Sequence, residues 1–181
     1  MIRIIAILLV LLSAGCATVV RQPADASESF VYRLGTGDRL RISVFDEPRL
    51  SGEYAIDGTG SISYPLLGPI DVTEKTTAEV RDKITQRLSV EFVRNPKVSV
   101  EVINYRPVYV LGEVARPGEF AYVEGLTAFA LVAKAGGFTY RANQKIVFIH
   151  REKSAAEQAY PLDAKLVIRP GDTVRIGERY F

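Results

Sequence analysis

Beyond residue 30 the chain alternates short stretches of two-residue periodicity with two stretches of helical periodicity. Leu40, Ile42 and Val44 alternate with Arg39, Arg41 and Ser43, the spacing of a half-buried strand, and Gly35-Thr36-Gly37-Asp38 supplies the turn that leads into it. Asp57-Gly58-Thr59-Gly60 predicts a hairpin turn, Ser61-Ile62-Ser63-Tyr64 a short strand ended by Pro65, and Gly68-Pro69-Ile70-Asp71-Val72 a further turn and strand. A helix is predicted from Thr76, where Thr76-Thr77-Ala78-Glu79 fits a capping box and Val80, Ile84 and Leu88 recur every fourth residue among charged neighbours. Asn95-Pro96 breaks that period, and Val98, Val100 and Val102 restore a strand.

A second unit begins near Arg106-Pro107. Val108-Tyr109-Val110-Leu111-Gly112 is a predicted strand, with Val108 and Val110 assigned to a core. Arg116-Pro117-Gly118 turns it into a strand over residues 119–123. Residues 127–135 form a short apolar helix that Gly136-Gly137 ends, because glycine takes the left-handed cap conformation without steric cost. Residues 145–151 give a strand with Ile146, Phe148 and His150 on one face, and Arg169-Pro170-Gly171-Asp172 turns into Thr173-Val174-Arg175-Ile176. The predicted class is α+β, short strands with two principal helices. Gly37-Asp38-Arg39-Leu40-Arg41-Ile42 and Gly171-Asp172-Thr173-Val174-Arg175-Ile176 share one pattern near the two ends of the folded region. That echo suggests that the N-terminal strand joins the C-terminal sheet, with the middle segment inserted between.

The first residues stand apart. A positive start at Met1 and Arg3, an apolar run over residues 4–12 and small residues Ser13-Ala14-Gly15 read as a secretory signal. Nine residues rise about 13.5 Å as a helix, too little for a hydrocarbon core of roughly 30 Å. Leu12-Ser13-Ala14-Gly15-Cys16 is similar to the bacterial lipoprotein box, which makes Cys16, the only cysteine, an expected lipid anchor. Ala17 follows where an Asp would resemble an inner-membrane retention signal, so the expected address is the outer membrane, facing the periplasm. Residues 17–29 mix Pro, Ala, Ser and charge and read as a flexible tether.

Composition narrows the function classes. In 181 residues, 48% are hydrophobic and 23 basic residues face 21 acidic ones, which describes a folding chain with none of the excess basicity of a nucleic-acid binder. One His, one Cys and no Trp exclude most His- or Cys-dependent chemistry by counting. No catalytic set, metal site or cofactor is expected. Gly35-Thr36-Gly37 is not a dinucleotide loop, since Leu40 stands where the fingerprint needs a third glycine. His150 is read as an ordinary strand residue. Asp46 and Glu47 are read as a solvated loop in preference to a glycosidase pair, which needs carboxyls about 5 to 9.5 Å apart across a sugar. Tyr54, Tyr64, Tyr105, Tyr109, Tyr122, Tyr140, Tyr160 and Tyr180 lie outside the helices, where aromatic rings with a hydroxyl serve sheet packing, sugar contact or subunit contact.

The ordered motifs carry a family resemblance. Tyr32-Arg33-Leu34-Gly35-Thr36-Gly37-Asp38, then Asp57-Gly58, Tyr64-Pro65-Leu66-Leu67-Gly68, the Thr77-Ala78-Glu79 helix start and Asn95-Pro96-Lys97-Val98 resemble the polysaccharide biosynthesis/export domain of Wza-type outer-membrane lipoproteins. Val110-Leu111-Gly112-Glu113-Val114, Arg116-Pro117-Gly118, Ala135-Gly136-Gly137 and Arg169-Pro170-Gly171-Asp172 resemble the soluble-ligand-binding β-grasp (SLBB) domain that accompanies it. The resemblance divides the chain into a signal (1–15), a tether (16–29), an export domain (30–105) and a β-grasp domain (106–181). It implies a non-enzymatic homo-oligomeric ring that conducts capsular or exopolysaccharide, with an inner-membrane polysaccharide co-polymerase as partner. Wza-type proteins also carry a further β-grasp repeat and a C-terminal amphipathic helix. The pattern here stops after the last strand, so a short form working with a separate outer-membrane β-barrel is expected. A monomeric lipid-anchored module binding polysaccharide or peptidoglycan is the alternative.

Overall fold

The structure is a computed structural model that describes residues 31–152 and 154–179. The signal, Cys16, the tether and Tyr180 lie outside them. In chain order the elements are β1 (Arg39–Val44), β2 (Gly52–Ala55), β3 (Ser61–Tyr64), β4 (Gly68–Asp71), α1 (Thr77–Glu91), β5 (Val98–Asn104), β6 (Val108–Gly112), β7 (Gly118–Phe120), α2 (Ala128–Lys134), β8 (Ala142–His150), β9 (Gln158–Pro161) and β10 (Thr173–Glu178).

The N-terminal half packs an antiparallel sheet of order β2-β1-β5 and the β3–β4 hairpin against α1. Its helix forms where the capping box requires: the Thr76 hydroxyl accepts from Glu79 N–H, and the Glu79 carboxylate accepts from Thr76 N–H. Val80, Ile84 and Leu88 are fully buried with Leu40, Ile42, Ile62 and Ile70. Each such side chain contributes about 1.5–3 kcal/mol over exposure. The Asp57 turn departs from the sequence expectation. It is not a hairpin, because β2 pairs with β1 and β3 with β4, so it is a corner carrying the chain from the sheet to the hairpin. Gly60, at φ 76° with Thr73 where a Cβ would stand, is the glycine this corner requires, whereas Gly58 has open space and no positive φ.

The C-terminal half is a five-stranded sheet of order β7-β6-β10-β8-β9, antiparallel except for the parallel β10–β6 pair. One face carries Val108, Val110, Val147, Ile149, Val174 and Ile176, covered by Leu131, Val132 and Ala135 of α2. Thr127 caps α2, and its end is a Schellman motif: Gly136 N–H donates to Ala133 O and Gly137 N–H to Val132 O, with φ of 87° and 93°. The two hydrophobic clusters share no residue, one ending at Val102 and the other beginning at Val108.

The expected union of the N-terminal strand with the C-terminal sheet does not occur. Leu40 and Ile42 pair with Tyr54 and Gly52 on one side and with Val102 and Val100 on the other, so β1 is the centre of its own sheet. The echo has another basis, set in the turns that precede the two strands.

Candidate functional site

The two echoed turns are built alike. In Gly35-Thr36-Gly37-Asp38 the Asp38 N–H donates to Gly35 O (3.2 Å), the Asp38 carboxylate accepts from Gly35 N–H (2.8 Å), and Gly37 takes φ 92°. In Arg169-Pro170-Gly171-Asp172 the Asp172 N–H donates to Arg169 O (3.1 Å), its carboxylate accepts from Arg169 N–H (2.8 Å), and Gly171 takes φ 82°. Both are turns with a left-handed glycine third, closed by the aspartate side chain. Asp38 and Asp172 are the two buried polar residues of the described chain, 0% and 2% exposed.

Arg106, in the segment joining the two halves, stands between these turns. Its backbone N–H donates to Asp38 Oδ1 (2.8 Å) and its Nη1 to Asp38 Oδ2 (3.2 Å) and the Tyr32 hydroxyl (3.0 Å). Nε lies 3.1 Å from Glu152 Oε2 in the other half. A Cβ on Gly35 would fall 2.4 Å from Arg106 Nη1, and one on Gly171 would fall 2.9 Å from Nε. Both glycines are therefore where a guanidinium crosses bare backbone. Gly171 N–H also donates to Pro107 O (3.0 Å). A buried carboxylate, an arginine with little exposure and a half-exposed carboxylate line up across the two halves, hydrogen-bonded on the Asp38 side and paired by charge alone at Glu152.

Aromatic edges extend the joint. Tyr32 and Tyr105 meet at 5.0 Å and 77°, and Tyr105 and Tyr122 at 5.3 Å and 71°, both edge-to-face. The Tyr105 hydroxyl donates to Glu124. Burial, with the bond to Asp38 second, pushes the Tyr32 hydroxyl far above its ordinary range, and burial does the same for Tyr105. Burial also pushes the Asp172 carboxyl up to about 6, against the opposing pull of Arg169 N–H and of Arg151, Arg169 and Arg106. These groups hold position; among the described residues no cluster of three or more His, Cys, Asp or Glu could hold a metal ion.

The remaining motif residues serve backbone shape. Asp57 accepts from Thr59 N–H and hydroxyl and from Ser61 N–H, and these bonds, the Thr59 hydroxyl first, hold its carboxyl below the usual range. Pro65 and Gly68 bracket the β3–β4 turn, where Leu66 takes φ 64°. Gly112, at φ 84°, faces β10 so closely that a Cβ would lie 2.1 Å from Ile176 O. Pro117 precedes β7 and Gly118 opens it, at φ 147° in open space. Asp46 is exposed in the β1–β2 connection at φ 62°, beside Glu47. His150 is exposed at the end of β8, opposite Thr173. The tyrosines divide: Tyr54 pairs with buried Tyr64, Tyr160 belongs to the second core, Tyr105 and Tyr122 sit in the joint, and Tyr109 and Tyr140 are exposed. Sequence reasoning did not single out Arg106, Tyr32 or Glu152; the paired Gly-Asp turns were the available signal.

Comparison with known proteins places this geometry. Residues 26–103 match the family described as polysaccharide biosynthesis/export protein, and residues 107–160 match the SLBB domain. The exopolysaccharide production protein ExoF of Rhizobium meliloti (strain 1021) is 34% identical, over 90% of this chain and 42% of its own length. The EPS I polysaccharide export outer membrane protein EpsA of Ralstonia nicotianae is 33% identical over 82% of this chain and 48% of its own. The polysialic acid transport protein KpsD of Escherichia coli is 24% identical over 82% and 28%. The chain thus spans less than half the length of each of these three relatives. With the two matches in tandem on either side of the Arg106 joint, the chain carries the domain pair of Wza-type polysaccharide export proteins, an export-family domain followed by an SLBB domain.

Proposed function

We propose that this protein is a periplasm-facing outer-membrane lipoprotein, anchored through Cys16, whose copies form a ring that conducts capsular or exopolysaccharide during export. The observation that carries the reading is the pair of relatives, at 34% and 33% identity over most of this chain, that bear the names of exopolysaccharide production and polysaccharide export outer membrane proteins. The joint supports it physically. A ring of two-domain subunits keeps one bore only if every copy holds the same interdomain angle, and Arg106 ties both halves to one guanidinium. An inner-membrane co-polymerase would feed the ring and a separate β-barrel would complete passage. No described helix is long and apolar enough to cross a membrane.

Cells lacking the protein should retain polymer inside the envelope and secrete little, and Cys16→Ser should release a folded protein from membranes while failing to restore secretion. Normal secretion without the protein would refute the export role. Membrane retention of the serine variant would refute the anchor.

A further inference from the structure

We infer that the SLBB domains of neighbouring copies join face to back, the outward side of α2 in one copy packing on the open face of the five-stranded sheet in the next. This inference rests on the ring reading and names the surfaces that would make it.

The C-terminal domain has two layers, and each turns large apolar side chains outward, on the sheet side among Glu119, Thr173, Arg175 and His150. Ala128, Leu131, Val132 and Ala135 of α2 face the core, so its exposed positions are Phe129, Ala130, Ala133 and Lys134. Phe129 is 41% exposed. At the N-terminal end of the helix Val167, bridged to Thr127, and Val123, whose carbonyl accepts from Leu126 N–H, extend the patch at 42% and 50% exposure. The opposite surface is the uncovered face of the sheet. Because Val108 and Val110 point to the core, Tyr109 and Leu111 point away from it, at 40% and 48% exposure. Registered beside them are Thr173 and Arg175 of β10, then His150 and Phe148 of β8.

The occupant follows from three features. A partner of another kind would need one such surface, but this domain carries two, on opposite sides, which is the requirement for a head-to-tail contact between identical copies, the kind of contact that makes a ring where its rotation closes. The shapes suit each other: Ala130 and Ala133 make a smooth helix surface that approaches a sheet closely, and Phe129 is the one large projection to seat beside Tyr109, Leu111 and Phe148. The charges are matched across the two surfaces: Glu119 of β7, opposite Tyr109, is on the sheet side, and Lys134, of opposite sign, is on the helix side. Arg175 is held by both oxygens of Glu157 and stacks 4.1 Å from the Phe148 ring centroid, and Lys134 donates to Ala121 O (3.2 Å).

The test uses the full lipid-anchored chain in mild detergent, with mass read by light scattering. Ala130→Glu spoils the helix side only and Leu111→Glu the sheet side only; both sites are exposed in the single copy, so each variant should fold with the circular dichroism spectrum of the wild type. The wild type should form a discrete oligomer and each variant alone a monomer. An equimolar mixture should give a 1:1 dimer, since one intact helix side still meets one intact sheet side. If the wild type assembles and either variant keeps its mass, or if the mixture stays monomeric, the face-to-back contact is wrong while the ring stands. A monomeric wild type removes both.

Discussion

The two helices do similar work on their inner sides and opposite work on their outer ones. α1 buries Val80, Ile84 and Leu88 and turns Glu79, Arg81, Asp82, Gln86 and Arg87 to water, with Ala78 in its first turn, Val90 in its last and Phe92 at its C-cap the apolar exceptions. α2 buries Ala128, Leu131 and Val132 and turns Phe129, Ala130 and Ala133 outward. A continuous outer side of small and apolar residues, with one charge at its end, suits docking better than solvation, whereas charges spread along the outer side of α1 suit water. The contrast is one between the two helices: away from α1 the export domain has exposed apolar side chains of its own at Phe45 and Leu66, and on the proposed ring reading the outward side of α2 is a surface for assembly. Arg106 makes the two halves one unit.

The sharpest way to break that unity is Arg106→Ala. Asp38 would stay fully buried without its guanidinium, and losing one member of a buried ion pair costs about 3–5 kcal/mol. Calorimetry should then resolve two transitions in place of one, the separated melting of the two clusters; a single unshifted transition would show that the joint does not couple them. Gly112→Ala should cost at least about 2 kcal/mol, from the left-handed backbone and the clash with Ile176 O. Gly58→Ala should lie within about 0.5 kcal/mol of the wild type. Denaturant titration compares the two, and equal losses would contradict the assignment of strict and permissive glycines.

Asp172 gives a smaller effect with a sign fixed by its environment. Its carboxyl is raised from 3.8 to about 6, so the folded state holds the proton more tightly than the unfolded state. The associated stability is complete below the unfolded value and is lost as pH rises through about 6, on the order of 3 kcal/mol in total. Asp172→Asn keeps an acceptor for Arg169 N–H without the charge. Its melting temperature should stay flat across that window, where the wild type declines; parallel curves would place the titration elsewhere.

Local signals were legible in the sequence and long-range ones were not. The Thr76 box and the four-residue recurrence of Val80, Ile84 and Leu88 announced α1, and the alternation in β1, β5 and β6 announced those strands, because one face of β1 and of β6 is buried and one face of β5 half-buried. β2 and β9 left no such mark. Both are edge strands, paired on one side and only partly buried, with little hydrophobic alternation to read. The repeated Gly-Asp motif was visible, but it pointed to a shared sheet where the structure has a shared arginine. Arg106 meets Asp38 and Tyr32 across 68 and 74 residues, a distance at which no local pattern operates. The outward side of α2 was hidden differently: an apolar helix seven residues long reads as core from composition, and only the burial of Leu131 and Val132 against the sheet shows which side is left over.

The most direct test is the mass of the full chain, purified from membranes in mild detergent and counted particle by particle by mass photometry. One discrete species of many copies, with an annular outline in electron micrographs, is the expected result. A monomer at every concentration would contradict the ring and favour the alternative reading, a monomeric module that binds polysaccharide or peptidoglycan.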